Sequence, residues 1–195
     1  MYMTKLRNRY FILRHGETVY KVRKEEFTYP PLPKNIAVKL SNKGKKQIKT
    51  AAKKLKKAGI DLIFSSDFSR TKQTAKIVAN ELGINKVYFD KRLRDVNLGI
   101  YHGGLLKYFY RDFPTHSKNR FNKKPEKGES WNEVRKRMLS VFKDIERKYK
   151  RKTILIISHG DPLWLLEGAI KNWLTAKLLK ERQNNHIRVG EFRKM

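Results

Sequence analysis

The sequence contains no cysteine among its 195 residues. That excludes a disulfide framework, a thiolate nucleophile and a cysteine-ligated zinc site, and it fits a reducing compartment. Acidic side chains are scarce: Asp and Glu number 18 against 47 Lys and Arg, for a formal net charge of +29. No apolar run approaches the roughly 20 residues that span a bilayer. The opening stretch MYMTKLRNRYFILRHGE carries basic residues without a sustained apolar segment, so neither a membrane span nor a signal peptide is expected. Hydrophobic residues make up 39% and aromatics 11%, enough at this length to bury one core, which argues against wholesale disorder. The expectation is a soluble, cytoplasmic protein of one domain spanning 1–195.

A charge excess of this size is the usual footprint of proteins that meet nucleic acid or another polyanion. A plainer reading competes with it. Ile48, Ala51, Ala52 and Leu55 recur at helical spacing, while Lys45, Lys46, Lys49, Lys53, Lys54, Lys56 and Lys57 fall mainly off that stripe. Such lysines form a solvated helix face whether or not a polyanion partner exists.

Short apolar runs at Tyr10 to Leu13, Ile60 to Phe64 and Thr153 to Ile157 each end in a polar loop and read as buried parallel strands. Helices with recognisable punctuation lie between them. Ser41 is an N-cap with Gly59 as stop, Ser69 to Leu82 runs to Gly83, and Ser130 and Glu133 form a capping box ahead of Val134, Met138, Val141, Phe142, Ile145 and Tyr149. Pro162 suits the first turn of a helix after Ser158-His159-Gly160. The alternation predicts a three-layer α/β domain: a mostly parallel sheet with helices on both faces and ligands at the C-terminal strand ends. His186 to Phe192 is read as a closing edge strand. Segments 21–39 and 103–128 break the pattern and are expected to be lid or substrate loops. Trp131, Trp164 and Trp173 are assigned to amphipathic helices and packing, and His116 and His186 to surface or strand positions.

The strand ends present Arg14-His15-Gly16-Glu17-Thr18, Ser65-Ser66 with Arg70-Thr71 close behind, and Ser158-His159-Gly160. Paired arginines and histidines at one sheet edge are not a core-packing requirement. Guanidinium forks bind phosphate oxygens through paired hydrogen bonds, and a histidine among arginines is held neutral, with a ring nitrogen free to attack phosphorus. The chemistry indicated is covalent catalysis through a phosphohistidine. A metal hydrolase built from His15, Glu17, His159 and Asp161 is the competing use of the same residues, but nearby arginines oppose a cation and no His-Glu-x-x-His spacing occurs.

These motifs resemble the histidine phosphatase superfamily, also called the phosphoglycerate mutase-like family. Arg14 to Thr18 matches its Arg-His-Gly-Glu-Thr, and Leu40-Ser41 through Gly44 to Gln47 its Leu-Thr-x-x-Gly-x-x-Gln. Ser65 to Ala75 resembles Ser-Ser-x-x-x-Arg-Thr-x-x-Thr-Ala, Ser158 to Gly160 the second-histidine motif, and Gly128-Glu129-Ser130 the Gly-Glu-Ser that opens a helix. The resemblance implies that His15 is the nucleophile and that Arg14, Arg70 and His159 bind the transferring phosphoryl group. It implies no metal or other cofactor. The carboxylate that protonates the leaving oxygen maps onto Asp95 in Leu93-Arg94-Asp95-Val96-Asn97-Leu98-Gly99, where the family has Glu. Asp is one methylene shorter and more acidic, with a reference value of about 3.9, so Glu129 stands in reserve, although a first-turn carboxylate at a helix N-terminus needs no catalytic role. Glu17 is expected to orient an arginine or backbone group. Lys21 stands where the family often has Asn and His102 where it has an acidic residue, and both add positive character near the pocket mouth.

Members that are mutases are generally longer and keep Glu as the acid, so the resemblance favours a phosphatase acting on small phosphorylated substrates. Phosphoglycerate mutase and a nucleotide-loop phosphatase of cobalamin synthesis are the alternatives within the family. A basic polyanion-binding protein with little or no catalysis is the alternative from another class.

Overall fold

The computed structural model describes residues 6–23 and 26–195. Its strands are β1 (Arg9–Arg14), β2 (Leu62–Ser65), β3 (Val87–Phe89), β4 (Thr153–Ser158) and β5 (Phe192–Lys194). The helices are α1 (Val19–Arg23), α2 (Lys34–Ala37), α3 (Asn42–Leu55), α4 (Ser69–Leu82), α5 (Leu106–Asp112), α6 (Trp131–Lys148), α7 (Gly160–Ile170) and α8 (Thr175–Asn184).

The five-stranded sheet has the order β3-β2-β4-β1-β5, parallel throughout except for β5. Side chains alternate across β1 because a strand has a period of two. Tyr10 and Ile12 join Ile154 and Ile156 against α6 and α7, while Phe11 and Leu13 join Leu155 and Ile157 against α3 and α4. Every residue of β4 is buried, as a strand covered on both faces requires. These are the three layers that the alternation predicts.

Helix boundaries fall where local signals put them. Ser41 Oγ accepts from the Gly44 amide at 3.0 Å, and both halves of the Ser130–Glu133 capping box are present. The lysines off the α3 stripe are all exposed, and the stripe itself is buried.

Two expectations need correction, and one strand was not expected. The strand predicted over His186 to Phe192 begins only at Phe192: the chain turns at Gly190, whose φ is +74°, and Arg188 and Glu191 close that turn on each other. β3 is an apolar run of only three residues, Val87 to Phe89, too short to be read as a strand by itself, and it exists by pairing with β2. Trp173 lies between α7 and α8, unlike Trp131 and Trp164, which are buried within helices. No helix among the described residues is long and apolar enough to cross a membrane.

Candidate active site

The sheet register brings the two histidine motifs together. Arg14, the last residue of β1, pairs with Ser158, the last of β4, so His15 and His159 leave adjacent strands side by side. The His15 amide bonds the Ser158 carbonyl at 3.2 Å, and the two imidazoles stand 5.1 Å apart, edge to face. β2 ends on the other side of β4 and delivers Ser65 and Ser66, with Arg70 in the first turn of α4.

His15 is 2% exposed. Its Nδ1 lies 2.8 Å from the Gly16 carbonyl, which can only accept, so Nδ1 carries the proton and the Nε2 lone pair is free. Burial holds the ring well below the usual histidine range, and the neighbouring His159, Arg70 and Arg14 push the same way. The arginines that motivated a neutral histidine therefore contribute, but desolvation is the larger cause. His159 is fixed in the other tautomer: its Nδ1 accepts from Arg70 Nε at 3.3 Å and its Nε2 donates to Ser66 Oγ at 3.0 Å. It too is held neutral by burial, with Arg70 and then Arg137 and Arg14 adding to the effect.

The loop after His15 is clamped by α3. A Cβ on Gly44 would lie 2.1 Å from the Glu17 carbonyl oxygen, and one on Gly16 would lie 2.5 Å from the Gly44 carbonyl oxygen. Both motif glycines permit this backbone contact. Gln47 Oε1 accepts from the Glu17 amide, while the Glu17 carboxylate accepts from Ser41 Oγ at 2.8 Å and lies 3.2 Å from Lys43 Nζ. Glu17 thus ties the loop to α3 rather than orienting an arginine, and these contacts hold its carboxyl below the usual range.

Arg70 is fully buried between the rings of Tyr29 and Phe68, at 4.4 and 4.6 Å from their centres. Nη1 donates to the backbone and side-chain oxygens of Asn35 and Nη2 to Asp95 Oδ2 at 3.4 Å, which leaves an Nη2 N–H to meet a ligand. Arg14 gives Nη1 to the Ile187 carbonyl, and its buried Nε has no partner. Asp95 Oδ2 lies 3.6 Å from His159 Nδ1, and Oδ1 accepts from the Val96 amide.

Glu129 is placed differently. Arg137 grips both of its oxygens, at 2.7 and 2.9 Å, and Oε2 also accepts from the Asn97 amide. The same guanidinium donates to the carbonyls of Arg92, Arg94 and Asp95, so the Arg137–Glu129 pair holds the backbone that carries Asp95. His102 Nδ1 donates to the Tyr29 carbonyl and Nε2 accepts from the Leu98 amide, and burial lowers its pKa. A neutral staple therefore stands where positive character was expected. Lys21 donates to the Phe27 carbonyl and lies 5.2 Å from the centre of the Tyr29 ring that Arg70 also contacts.

The two segments expected as separate loops are stitched to each other. The Thr28 amide bonds the Gly104 carbonyl, the Gly103 amide bonds the Tyr29 carbonyl, and Phe27 bridges Leu105. Two cavities, of 170 and 290 Å³, meet at Asn35, Asp95, Val96 and His102. The smaller one also takes in Arg14, Arg120, Asp161 and Arg182. Asp161, weighed for a metal, instead pairs with Arg182 and His186, and these partners hold its carboxyl far below the usual range despite burial. His186, assigned to a strand or surface, lines this cavity. Among the described residues no three His, Cys, Asp or Glu side chains converge on a common point. Sequence reasoning missed Tyr29, Asn35, Arg120, Arg137 and Arg182. None sits in a motif, and contacts such as Arg70 to Asn35 and Arg137 to Asp95 join residues 35 and 42 apart along the chain.

The chain is 31% identical over 161 residues to the probable phosphoglycerate mutase GpmB of Yersinia enterocolitica, covering 80% of this chain and 71% of that one. The GpmB of Escherichia coli K12 is 29% identical over 170 residues, covering 82% and 73%. In fold it is similar to mycobacterial glucosyl-3-phosphoglycerate phosphatase in complex with VO3, with a TM-score of 0.80 over 95% of this chain and 91% of that one at 24% identity. Bacillus stearothermophilus YhfR gives 0.76 over 96% and 90%, also at 24%. The model of the histidine phosphatase superfamily (branch 1) matches residues 10–190, and with the two histidines, their arginines and the parallel sheet in place the chain belongs to that superfamily.

Proposed function

We propose that the chain is a metal-independent phosphomonoester phosphatase that works through a phosphohistidine on His15. The observation that carries this reading is the Nδ1–H bond from His15 to the Gly16 carbonyl, which leaves the Nε2 lone pair of a buried, neutral imidazole free, with Arg14 and Arg70 near enough to act on its charge. Nε2 attacks phosphorus as the bond to the leaving oxygen breaks, and Asp95 gives that oxygen its proton. Asp95 then takes a proton from water, whose oxygen attacks phosphorus, breaks the P–N bond and releases inorganic phosphate. Arg14 and Arg70 supply hydrogen bonds to the phosphoryl oxygens, which is the charge stabilisation a metal would otherwise give, while His159, expected to bind beside them, has its one N–H on Ser66 Oγ and instead holds Arg70 through Nδ1. Asp95 is the proposed acid because both oxygens of Glu129 are held by Arg137. Segments 21–39 and 103–128, joined over the site, are the proposed substrate-enclosing lids.

The test is phosphate release with EDTA present, from p-nitrophenyl phosphate and from alkyl phosphates. His15→Ala is expected to lower kcat at least about a thousandfold, and acid-quenched wild-type enzyme should carry acid-labile phosphate on His15. Asp95→Asn should slow alkyl phosphates about a hundredfold or more and p-nitrophenyl phosphate far less, since its leaving group needs little protonation. Substantial turnover by His15→Ala would end the phosphohistidine reading. The relatives named as mutases favour a second reading. Conversion of 3-phosphoglycerate to 2-phosphoglycerate without phosphate release would establish it.

A further inference from the structure

The cavity that takes in Arg14 and Asp95 is also lined by Arg120, Asp161, Arg182 and His186, which the proposed phosphoryl transfer does not use. The two groups are adjacent: a Cβ on Gly160 would lie 2.7 Å from His186 Cε1 and 3.1 Å from Arg14 Cζ, so the imidazole and the guanidinium flank the same glycine. Charge within the cluster does not balance. Asp161 Oδ1 receives Arg182 Nε at 3.1 Å and His186 Nε2 at 3.1 Å, and Arg182 Nη2 reaches both carboxylate oxygens. Arg120 is left over. Its Nη2 stands 3.8 Å from Asp161 Oδ2, beyond hydrogen-bond distance, and its Nη1 is buried with no partner.

Arg120 is 5% exposed, with its guanidinium 4.1 Å from the centre of the Trp131 ring and 5.1 Å from that of Phe109. Aromatic faces attract a cation but accept no conventional hydrogen bond from it, so a buried donor still lacks an acceptor. A guanidinium fork is completed by a carboxylate or a phosphate.

We infer that Arg120 and Arg182, set by Asp161 and His186, form a subsite for a second anionic group on the substrate, a carboxylate or a second phosphate. The cavity of 170 Å³ is smaller than the roughly 300–1,000 Å³ of sites for drug-sized ligands, so the two anions sit on a short spacer. The inference rests on the phosphatase reading only in placing the first phosphate beside Arg14.

Calorimetric titration of the His15→Ala protein separates the two ideas, because binding needs no turnover. The probes are propyl phosphate, 3-phosphooxypropanoate and propane-1,3-diyl bisphosphate, which differ chiefly at the far end: methyl, carboxylate or phosphate. One of the two doubly anionic probes is expected to bind about ten- to a hundredfold tighter than propyl phosphate, and whichever it is identifies the anion. The preference should persist at about 0.3 M salt, since buried contacts are screened less than surface ones. Adding Arg120→Met should reduce it at least about tenfold. Arg120→Lys keeps the charge and much of the stem but not the fork; it should fold if the methionine variant does not, and it too should lower the preference. Equal affinity for all three probes, a preference that vanishes at high salt, or one that survives both folded variants would overturn the subsite. Absence of His15-dependent hydrolysis alongside a retained preference would instead end the phosphatase reading and leave the subsite standing.

Discussion

His15 and His159 are held neutral, chiefly because they are buried. That state has a thermodynamic consequence. Both folded pKa values lie below the ordinary value of about 6.5, so as pH falls through that value the unfolded chain takes up protons that the folded chain refuses. Stability is retained above this range and lost below it, by up to about 1.4 kcal/mol per pH unit for each histidine. The urea midpoint is therefore expected to fall between about pH 6.5 and pH 5, and to fall less steeply in His159→Gln. A midpoint that stays level across this window would show that the histidines are not held neutral. The same scale shows what the motifs concealed. Glu17 and Glu129 were legible as conserved-type motif positions by resemblance, yet their work is to hold backbone, one through Ser41 and Lys43 and the other through Arg137.

At the scale of elements, the helices were legible because their signals are local. Ser41, Ser130 and Glu133 set ends through bonds to residues a turn away and Gly59 through its left-handed backbone, so short-range sequence suffices to find them. β3 and β5 were not, because three-residue strands owe their existence to a neighbouring strand. The seating of α3 against the loop after His15 is an element contact that glycine alone allows. Gly44→Ala would put a methyl group against the Glu17 backbone oxygen, forcing α3 and the loop apart. We expect it to lower unfolding free energy by about 1–3 kcal/mol and to lower kcat for p-nitrophenyl phosphate, because the displaced loop is the one that fixes the His15 tautomer. Urea unfolding and steady-state assays check both, and wild-type values in each would show that the contact is slack.

At the scale of the whole molecule, a net charge of +29 surrounds the proposed phosphate site. Much of it lies on surfaces such as the exposed lysine row of α3. Long-range attraction of this kind raises encounter rates and is screened by salt. For p-nitrophenyl phosphate, kcat/KM should fall several-fold between about 0.02 and 0.3 M ionic strength, with kcat little changed. A kcat/KM independent of salt would detach the charge from catalysis and turn attention to the polyanion partner, whose binding would weaken far more steeply with salt.

The sequence by itself determined the layered α/β class, most helix boundaries, the family and the pairing of two histidines with two arginines, because these depend on periodicity, caps and short contiguous motifs. Only the tertiary structure decided that both ring nitrogens of His159 are taken, that Glu129 is occupied, that segments 21–39 and 103–128 bind one another, and that Arg120 lies buried beside the site. Those features come from contacts between residues far apart along the chain, unlike the His15 tautomer, which rests on the adjacent Gly16 carbonyl. They arise when β1 and β4 pair in register and draw every attached loop to one edge of the sheet.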